Sequence, residues 1–217
     1  MSEDSGTLPR PMPTRIKICG ITRPEDGRAA AEAGAHAIGL VFYRPSPRCV
    51  DRDTARAIVM ALPPFVASIG LFVDAPAEEI RAVLAAVPLT ALQFHGHESP
   101  PECACYGLPY LKAIRMVPGG DARAQAAAYA QAQAVLLDGY EDGRPGGTGR
   151  TFDWRTIPKD LPRPMVLAGG LDADNVQAAI RAARPWAVDV SGGVESAPGI
   201  KDEARMALFC QRVREAS

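Results

Sequence analysis

Residues 15–42 read RIKICGITRPEDGRAAAEAGAHAIGLVF, and this stretch decides the fold. The runs RIKIC at 15 and AIGLVF at 37 are apolar without regular alternation, which is typical of strands buried on both faces. Between them, Thr22 and Glu25 have the spacing of a capping box and open an alanine-rich segment that extends to Ala33. The stretch therefore predicts a strand, a helix and a second strand parallel to the first.

The same unit recurs along the whole chain. Strand-like runs begin at residues 15, 37, 65, 91, 110, 134, 165 and 187, and further helix starts are predicted near Asp53, Ala77, Asp121, Asp172 and Lys201. Eight strand–helix units in 217 residues predict an α/β protein built as a single, compact (βα)8 TIM barrel. A doubly wound open sheet uses the same units and remains the alternative. Between Glu98 and Leu108 only a short helical turn fits.

The composition of the chain predicts its domain organisation and the class of molecule that it binds. The polar, proline-rich residues 1–13 predict a short flexible leader, and residues 14–217 predict one catalytic barrel domain. With 24 basic and 25 acidic residues mixed along the chain, the net charge of −1 favours neither nucleic acid nor an anionic membrane. No run approaches the roughly 18 apolar residues of a membrane span. Five scattered cysteines without an export signal predict free thiols in a cytoplasmic protein that acts on a small molecule.

Parallel barrels place their active sites at the C-terminal ends of the strands, so the polar and glycine residues at those ends are the candidates. Glycine pairs follow strands 7 and 8, and they suit a phosphate because backbone N–H groups without a neighbouring Cβ can approach an oxyanion. Tight turns with no ligand are the alternative explanation. The candidate residues are Cys19, Arg48, Gln93, His95, Asp138, Gly169, Gly170, Ser191, Gly192 and Gly193.

Two of these candidates are predicted to form an acid–base pair. Cys19 ends strand 1 and Asp138 ends strand 6, so they would face each other across the barrel mouth, with the Cys19 thiolate as the base and the Asp138 carboxylic acid as the proton donor. A buried apolar role for Cys19 and a turn-capping role for Asp138 are the alternatives. Arg48 lies in a loop stiffened by two prolines and suits a planar carboxylate, although Arg44 is close enough to take that role.

Two further segments carry weaker expectations. Residues 141–151 are glycine-rich and long for a connection, which predicts a lid or a ligand-binding loop within 139–152. His95, His97, Cys103 and Cys105 are residue types that bind zinc, but their spacing matches no usual zinc pattern. We therefore expect no metal.

Short motifs recur along most of the chain, from Lys17 to Asp202. They are KICGIT at 17, GLVF at 39 with SPR at 46, GLFV at 70, LQFHG at 92, LD at 137, GGTG at 146 with FDW at 152, LAGGL at 167 and VDVSGGVE at 188. Taken in order, these motifs resemble those of the phosphoribosylanthranilate isomerase family. No single motif decides the resemblance, but the order and approximate spacing of the whole set rarely arise by chance.

The resemblance implies an Amadori rearrangement of N-(5-phosphoribosyl)anthranilate in tryptophan biosynthesis, without cofactor or metal, by a monomer or a homodimer. It implies that Cys19 is the general base, Asp138 the general acid and Arg48 the partner of the anthranilate carboxylate. The glycines after strands 7 and 8, with Ser191, would anchor the phosphate, and Gln93 and His95 would line the pocket. One alternative is a histidine-pathway isomerase, for which a catalytic pair of aspartates would be expected, whereas this chain has Cys19 at the first position. The other alternative is a non-catalytic phosphometabolite-binding barrel.

Overall fold

The computed structural model describes residues 13–139 and 152–216, and these form a closed barrel of eight parallel strands in sequential order. Helices on the outside connect most successive strands. The barrel strands are β1 (Arg15–Cys19), β2 (Ala37–Val41), β3 (Ala67–Phe72), β4 (Ala91–Phe94), β5 (Tyr110–Met116), β6 (Ala134–Gly139), β7 (Met165–Leu167) and β8 (Ala187–Val190). The helices are α1 (Pro24–Ala33), α2 (Arg52–Met60), α3 (Ala77–Ala86), α4 (Pro100–Ala104), α5 (Ala122–Ala128), α6 (Val176–Ala183) and α7 (Glu203–Ala216).

Pairing between the first and last strands closes the barrel. Arg15 of β1 is in register with Ala187 of β8, and Lys17 is in register with Asp189. This closure confirms the TIM barrel and shows that the open-sheet alternative is wrong. All eight strands contain the predicted apolar runs, with boundaries that differ by no more than two residues.

The apolar side chains form an inner and an outer layer, as expected for strands buried on both faces. The outer layer lies between the strands and the helices and includes the stacked rings of Phe42 and Phe72, whose centroids are 5.2 Å apart. The inner layer fills the barrel with small and branched side chains. Its buried members are Ile69, Leu111, Ala113, Ala134, Leu136, Val166, Ala168 and Ala187.

The starts of helices α1 and α4 bear on two predictions from the sequence. The capping box predicted at Thr22 and Glu25 is wrong, because Arg23 is the N-cap of α1, its side chain makes no cap, and the Thr22 hydroxyl donates to the Gly199 carbonyl at 2.5 Å. A proline at the first helical position starts α1 instead. A capping box does occur at Ser99 and Glu102, where it opens the five-residue helix α4 in the segment that allowed only a short turn.

Two connections depart from simple strand–helix alternation. After β6, the described part of the connection contains a single 3₁₀ turn (Trp154–Thr156) and no α-helix. After β8, a 3₁₀ turn (Gly192–Val194) and a short antiparallel hairpin of β9 (Glu195–Ala197) and β10 (Ile200–Lys201) precede α7. The predicted leader up to residue 12 and the predicted lid, residues 140–151, lie outside the described residues. Among the described helices, none has the length and apolarity that a membrane crossing requires.

Candidate active site

A cavity of about 640 Å³ opens at the C-terminal ends of the strands. All ten site residues predicted from the sequence line it, so the fold brings together side chains that are up to 174 positions apart, from Cys19 to Gly193. Apolar side chains of Val41, Leu71 and Val73 form part of the wall. The predicted candidates therefore lie in one cavity, which is where a barrel enzyme binds its substrate.

Asp138 is held by a chain of two hydrogen bonds that starts at strand β4. The Gln93 amide nitrogen lies 3.0 Å from His95 Nδ1, and His95 Nε2 lies 3.1 Å from Asp138 Oδ2. With the amide in this orientation, Nδ1 accepts and the Nε2 proton is donated to the carboxylate. Gln93 is fully buried, and its carbonyl oxygen has no partner among the described atoms. The turn that Asp138 would cap continues from Gly139 into residues outside the described range, so the structure does not test that alternative.

Cys19 lies on the opposite wall beside two buried charges that the sequence analysis did not single out. Lys17 Nζ donates to Asp189 Oδ1 at 2.9 Å, and the two residues are 3% and 9% exposed. Burial raises the pKa of the Cys19 thiol above its ordinary value, and the positive charge of Lys17 opposes that rise. Burial alone would lower the pKa of Lys17, but Asp189 and Cys19 outweigh it and raise that pKa. Lys17 and Asp189 lie in the runs RIKIC and AVDV, which the sequence analysis interpreted only as apolar strands, so neither residue was selected as a candidate.

Arg48 reaches the cavity from the loop after β2, where it is already paired. Its Nε and Nη2 atoms each donate to Glu195 at 2.8 Å, and Lys201 Nζ donates to the same carboxylate at 2.7 Å. Burial alone would raise the pKa of Glu195, but the hydrogen bonds and charges of Arg48 and Lys201 hold it below its ordinary value. Because Glu195 occupies one edge of the guanidinium, only the Nη1 and Nη2 end remains for a ligand. Arg44 is exposed and does not line the cavity, so of the two arginines only Arg48 does.

The glycine pairs after β7 and β8 leave space at the cavity that side chains at these positions would fill. Gly169 and Gly170 have φ values of +86° and +63°, in the left-handed region that glycine adopts without strain. A Cβ on Gly169 would lie 3.1 Å from Asp138 Oδ1, and one on Gly193 would clash with the Leu171 carbonyl. Asn175 donates to the Gly170 carbonyl at 2.8 Å and fixes the loop after β7. The two glycine loops therefore form one backbone-lined end of the cavity.

The residues of the zinc alternative do not converge. His95 points to Asp138, whereas the exposed His97 ring lies 3.1 Å from Asp74. Cys103 is buried and Cys105 is exposed. Within residues 13–139 and 152–216, no group of three or more potential ligands is arranged to hold a metal ion.

Comparison with known proteins identifies the family. The family model described as N-(5'-phosphoribosyl)anthranilate (PRA) isomerase matches residues 16–212. The chain belongs to the phosphoribosylanthranilate isomerase family. Its resemblance to this family, inferred above from motifs between Lys17 and Asp202, is thereby confirmed.

Individual members of the phosphoribosylanthranilate isomerase family are similar over nearly their full length. The N-(5'-phosphoribosyl)anthranilate isomerase of Pseudomonas aeruginosa (strain UCBPP-PA14) is 60% identical over 200 residues, which is 92% of this chain and 95% of the relative. The crystal structure of the Thermotoga maritima isomerase matches with a TM-score of 0.86 at 39% identity, covering 93% of this chain and 99% of that one. A family structure in complex with reduced 1-(o-carboxyphenylamino)-1-deoxyribulose 5-phosphate matches with a TM-score of 0.83 at 38% identity, with the same coverage.

Proposed function

We propose that this protein catalyses the Amadori rearrangement of N-(5-phosphoribosyl)anthranilate to 1-(2-carboxyphenylamino)-1-deoxyribulose 5-phosphate, an isomerisation of tryptophan biosynthesis. One observation carries the proposal: in a member of this family, Cys19 and Asp138 line a single cavity together with Arg48 and two backbone-lined glycine loops. The cavity thus offers a base, an acid, a cation and an oxyanion site. These are the groups that a substrate with a sugar, a carboxylate and a phosphate needs.

The acid and the base act in sequence on the sugar. Asp138 acts in its protonated form, with the proton on Oδ1 while Oδ2 accepts from His95. It donates that proton to the furanose ring oxygen, the C1–O bond breaks, and the lone pair of the anthranilate nitrogen forms a C=N bond to C1. The Cys19 thiolate then removes the proton from C2, and the C2–H electrons form C1=C2 while the C=N electrons return to nitrogen. Tautomerisation of this enolamine, with a proton added at C1 and one lost from the C2 hydroxyl, gives the ketone. The substrate nitrogen accepts the electrons, so the step needs no external oxidant or reductant.

The remaining lining residues position the substrate. The free end of the Arg48 guanidinium binds the anthranilate carboxylate, and Gly169, Gly170, Ser191 and the Gly192–Gly193 pair anchor the phosphate through backbone N–H groups. Holding both ends of the substrate keeps C1 and C2 between acid and base, which lowers the entropic cost of the reaction. Gln93 and His95 orient the Asp138 carboxyl through the hydrogen-bond chain described above.

The test is the loss of anthranilate-type fluorescence when freshly made phosphoribosylanthranilate is added to the purified protein in the presence of EDTA. We expect rapid, EDTA-insensitive turnover, and we expect Cys19→Ser and Asp138→Asn each to lower kcat/KM by at least about 10²-fold with an unchanged circular dichroism spectrum. Rates like those of the wild type in either folded variant would remove that residue from the mechanism. No turnover by the wild type would favour a histidine-pathway substrate or a binding-only barrel, and these are tested next with the corresponding aminoribosyl phosphate.

Two further properties belong to the same proposal. All five cysteines are free, which supports a reducing compartment and therefore the cytoplasm. The partner is a phosphorylated small molecule, and the protein acts as a monomer or a homodimer. Size-exclusion chromatography with light scattering distinguishes these two states.

A further inference from the structure

A buried ion pair lies next to Cys19, and neither the acid–base step nor the packing of the barrel requires it. Lys17 and Cys19 are two positions apart on β1, so their side chains share the interior face. Asp189, in register with Lys17 on β8, accepts its hydrogen bond at 2.9 Å. A buried ion pair adds little net stability, because the cost of desolvating both charges offsets their attraction. Its position on the interior face of the barrel, beside Cys19, points to a task at the cavity.

The geometry at Gly39 brings the lysine charge to the sulfur. Gly39 of β2 is in register with Cys19. A Cβ at this position would lie 2.6 Å from Cys19 Sγ and 3.0 Å from Lys17 Nζ. The ammonium and the sulfur therefore converge on the space that the missing side chain leaves. Lys17 has two anionic neighbours there, the Asp189 carboxylate and, once the thiol ionises, the Cys19 thiolate.

The other charged groups around Cys19 lie in other parts of the chain and are paired with one another. Arg48 and Lys201 share the carboxylate of Glu195, whereas Asp138 is paired with His95 on the opposite side of the cavity. Among the cations, Lys17 opposes the rise in the pKa of Cys19 most strongly. The charged or titratable groups that act on Cys19 or on its ion pair are Lys17, Asp189, Lys201, Arg48, Asp138 and His95.

We propose that Lys17 is a positioning residue that holds positive charge against the Cys19 sulfur, and that Asp189 sets how much of that charge the thiolate receives. This inference rests on the proposed function, in which Cys19 removes the C2 proton. Substrate binding brings a carboxylate and a phosphate into the cavity, and both oppose ionisation of the thiol. A fixed ammonium on the protein side offsets that effect while leaving the cavity face of the sulfur free for the substrate.

The proposal predicts shifts of opposite sign for the two members of the ion pair. Lys17→Met removes the cation, so the pKa of Cys19 should rise. Asp189→Asn removes the competing anion, so Lys17 should interact with the thiolate alone and the pKa of Cys19 should fall. If the pair only supported the fold, the two variants would loosen the same region and would not move the thiol in opposite directions.

The measurement is the alkylation rate of Cys19 by iodoacetamide as a function of pH, followed by peptide mass spectrometry. The exposed Cys105 in the same samples is an internal control and should react alike in every variant. We expect the midpoint for Cys19 to rise by about one pH unit or more in Lys17→Met and to fall in Asp189→Asn, since an opposite charge at this range shifts a pKa by about 1–3 units. The double variant Lys17→Met/Asp189→Asn leaves no unpaired buried charge, so it keeps the measurement possible if Lys17→Met does not fold. Its midpoint should also lie above that of the wild type.

Two results would overturn the proposal: an unchanged Cys19 midpoint in folded Lys17→Met or in the double variant, or an upward shift in Asp189→Asn. These outcomes are separate from a failure of the proposed function. If Cys19→Ser retained full turnover, Cys19 would not be the base, yet the alkylation profiles would still report whether Lys17 acts on the thiol. If the alkylation midpoints shifted as expected and Cys19→Ser was inactive, Cys19 would be the base and Lys17 would be the residue that holds positive charge against it.

Discussion

Replacing Glu195 with glutamine should separate what this carboxylate does for stability from what it does for substrate binding. Glu195 is 7% exposed and accepts three hydrogen bonds from cations, two from Arg48 at 2.8 Å and one from Lys201 at 2.7 Å. Glutamine has nearly the same shape, but it is neutral, and one of its two terminal atoms is a donor that faces donors. With its oxygen at the Oε1 position, glutamine can still accept from Lys201, but this fully buried ammonium loses its counter-ion and keeps only neutral acceptors, the amide oxygen and the Ser191 carbonyl at 3.1 Å.

The expected loss of stability follows from that uncompensated charge. Removing one partner of a buried pair costs about 3–5 kcal/mol, because the other charge stays out of water without its counter-ion. For a domain of this size, a change of that magnitude corresponds to a fall in Tm of roughly 6–20 °C. Arg48 would also lose one of the two hydrogen bonds that fix its guanidinium, because its Nη2 atom would face the amide nitrogen. KM should therefore rise in the folded variant, while the acid–base pair, and therefore kcat, changes less.

Urea unfolding at neutral pH and steady-state kinetics measure the two effects on the same preparations. Glu32→Gln is the matched control, because it makes the same chemical change at an exposed position of α1 and should alter the free energy of unfolding by less than about 0.5 kcal/mol. A loss below about 1 kcal/mol in Glu195→Gln, with KM unchanged, would refute the reasoning.

The pH dependence of the same variant is a second check with a defined sign. Because Arg48 and Lys201 hold the pKa of Glu195 below its ordinary value, the stabilisation is complete above the unfolded-state pKa of about 4.3. It is lost as the pH falls through the lower folded-state pKa, where the wild-type carboxyl becomes as neutral as the amide. The difference in unfolding free energy between the two proteins should therefore be constant near neutrality and shrink in acid. A difference that stayed the same at every pH would mean that the ionised carboxylate is not its source.

Two shorter predictions concern the walls of the cavity. Arg48→Ala should raise KM for phosphoribosylanthranilate at least about 10-fold by removing the carboxylate contact, whereas Arg44→Ala, at an exposed position outside the cavity, should leave KM unchanged. The reverse pattern would transfer the role to Arg44. Gly39→Ala should lower kcat and destabilise the fold by about 1–3 kcal/mol, because its Cβ would lie 2.6 Å from Cys19 Sγ; unaltered turnover and stability would contradict the close approach at this glycine.

The barrel could be predicted from the sequence because strands buried on both faces leave a strong local signal. Short apolar runs such as AVLLD at 134 and AVDV at 187 are typical of strands buried on both faces, and their regular spacing predicts the number of strands. Closure could not be read from any run, since it depends on the pairing of Lys17 with Asp189 between the first and last strands. Helix ends were harder to predict. Thr22 has the residue type of a cap but bonds to Gly199, whereas Ser99, in a segment without a clear period, forms the real capping box.

Most of the candidate site was predictable for a topological reason. In a parallel barrel, every strand end points to the same face, so a residue's position along its own strand is enough to place it at the cavity. Cys19, Asp138 and the glycine pairs satisfy that condition, and all line the cavity. Sequence position does not say which partner each side chain meets there. The contact of His95 with Asp138 and the shared use of Glu195 by Arg48 and Lys201 join distant parts of the chain, so they required the structure.

The buried ions were missed because a strand that contains one charged residue still reads as apolar. In RIKIC the lysine alternates with isoleucines, and two positions later comes the cysteine of the proposed mechanism. Because side chains at i and i+2 share a face, that spacing already places the charge in the layer directly beneath the thiol. An aspartate in AVDV supplies the counter-ion from the neighbouring strand. Paired charges inside an apolar barrel cost stability unless each is satisfied, so a lone lysine in such a run predicts an acidic partner on an adjacent strand. When the next inward-facing residue is a nucleophile or a base, the same pattern predicts that the pair acts on it.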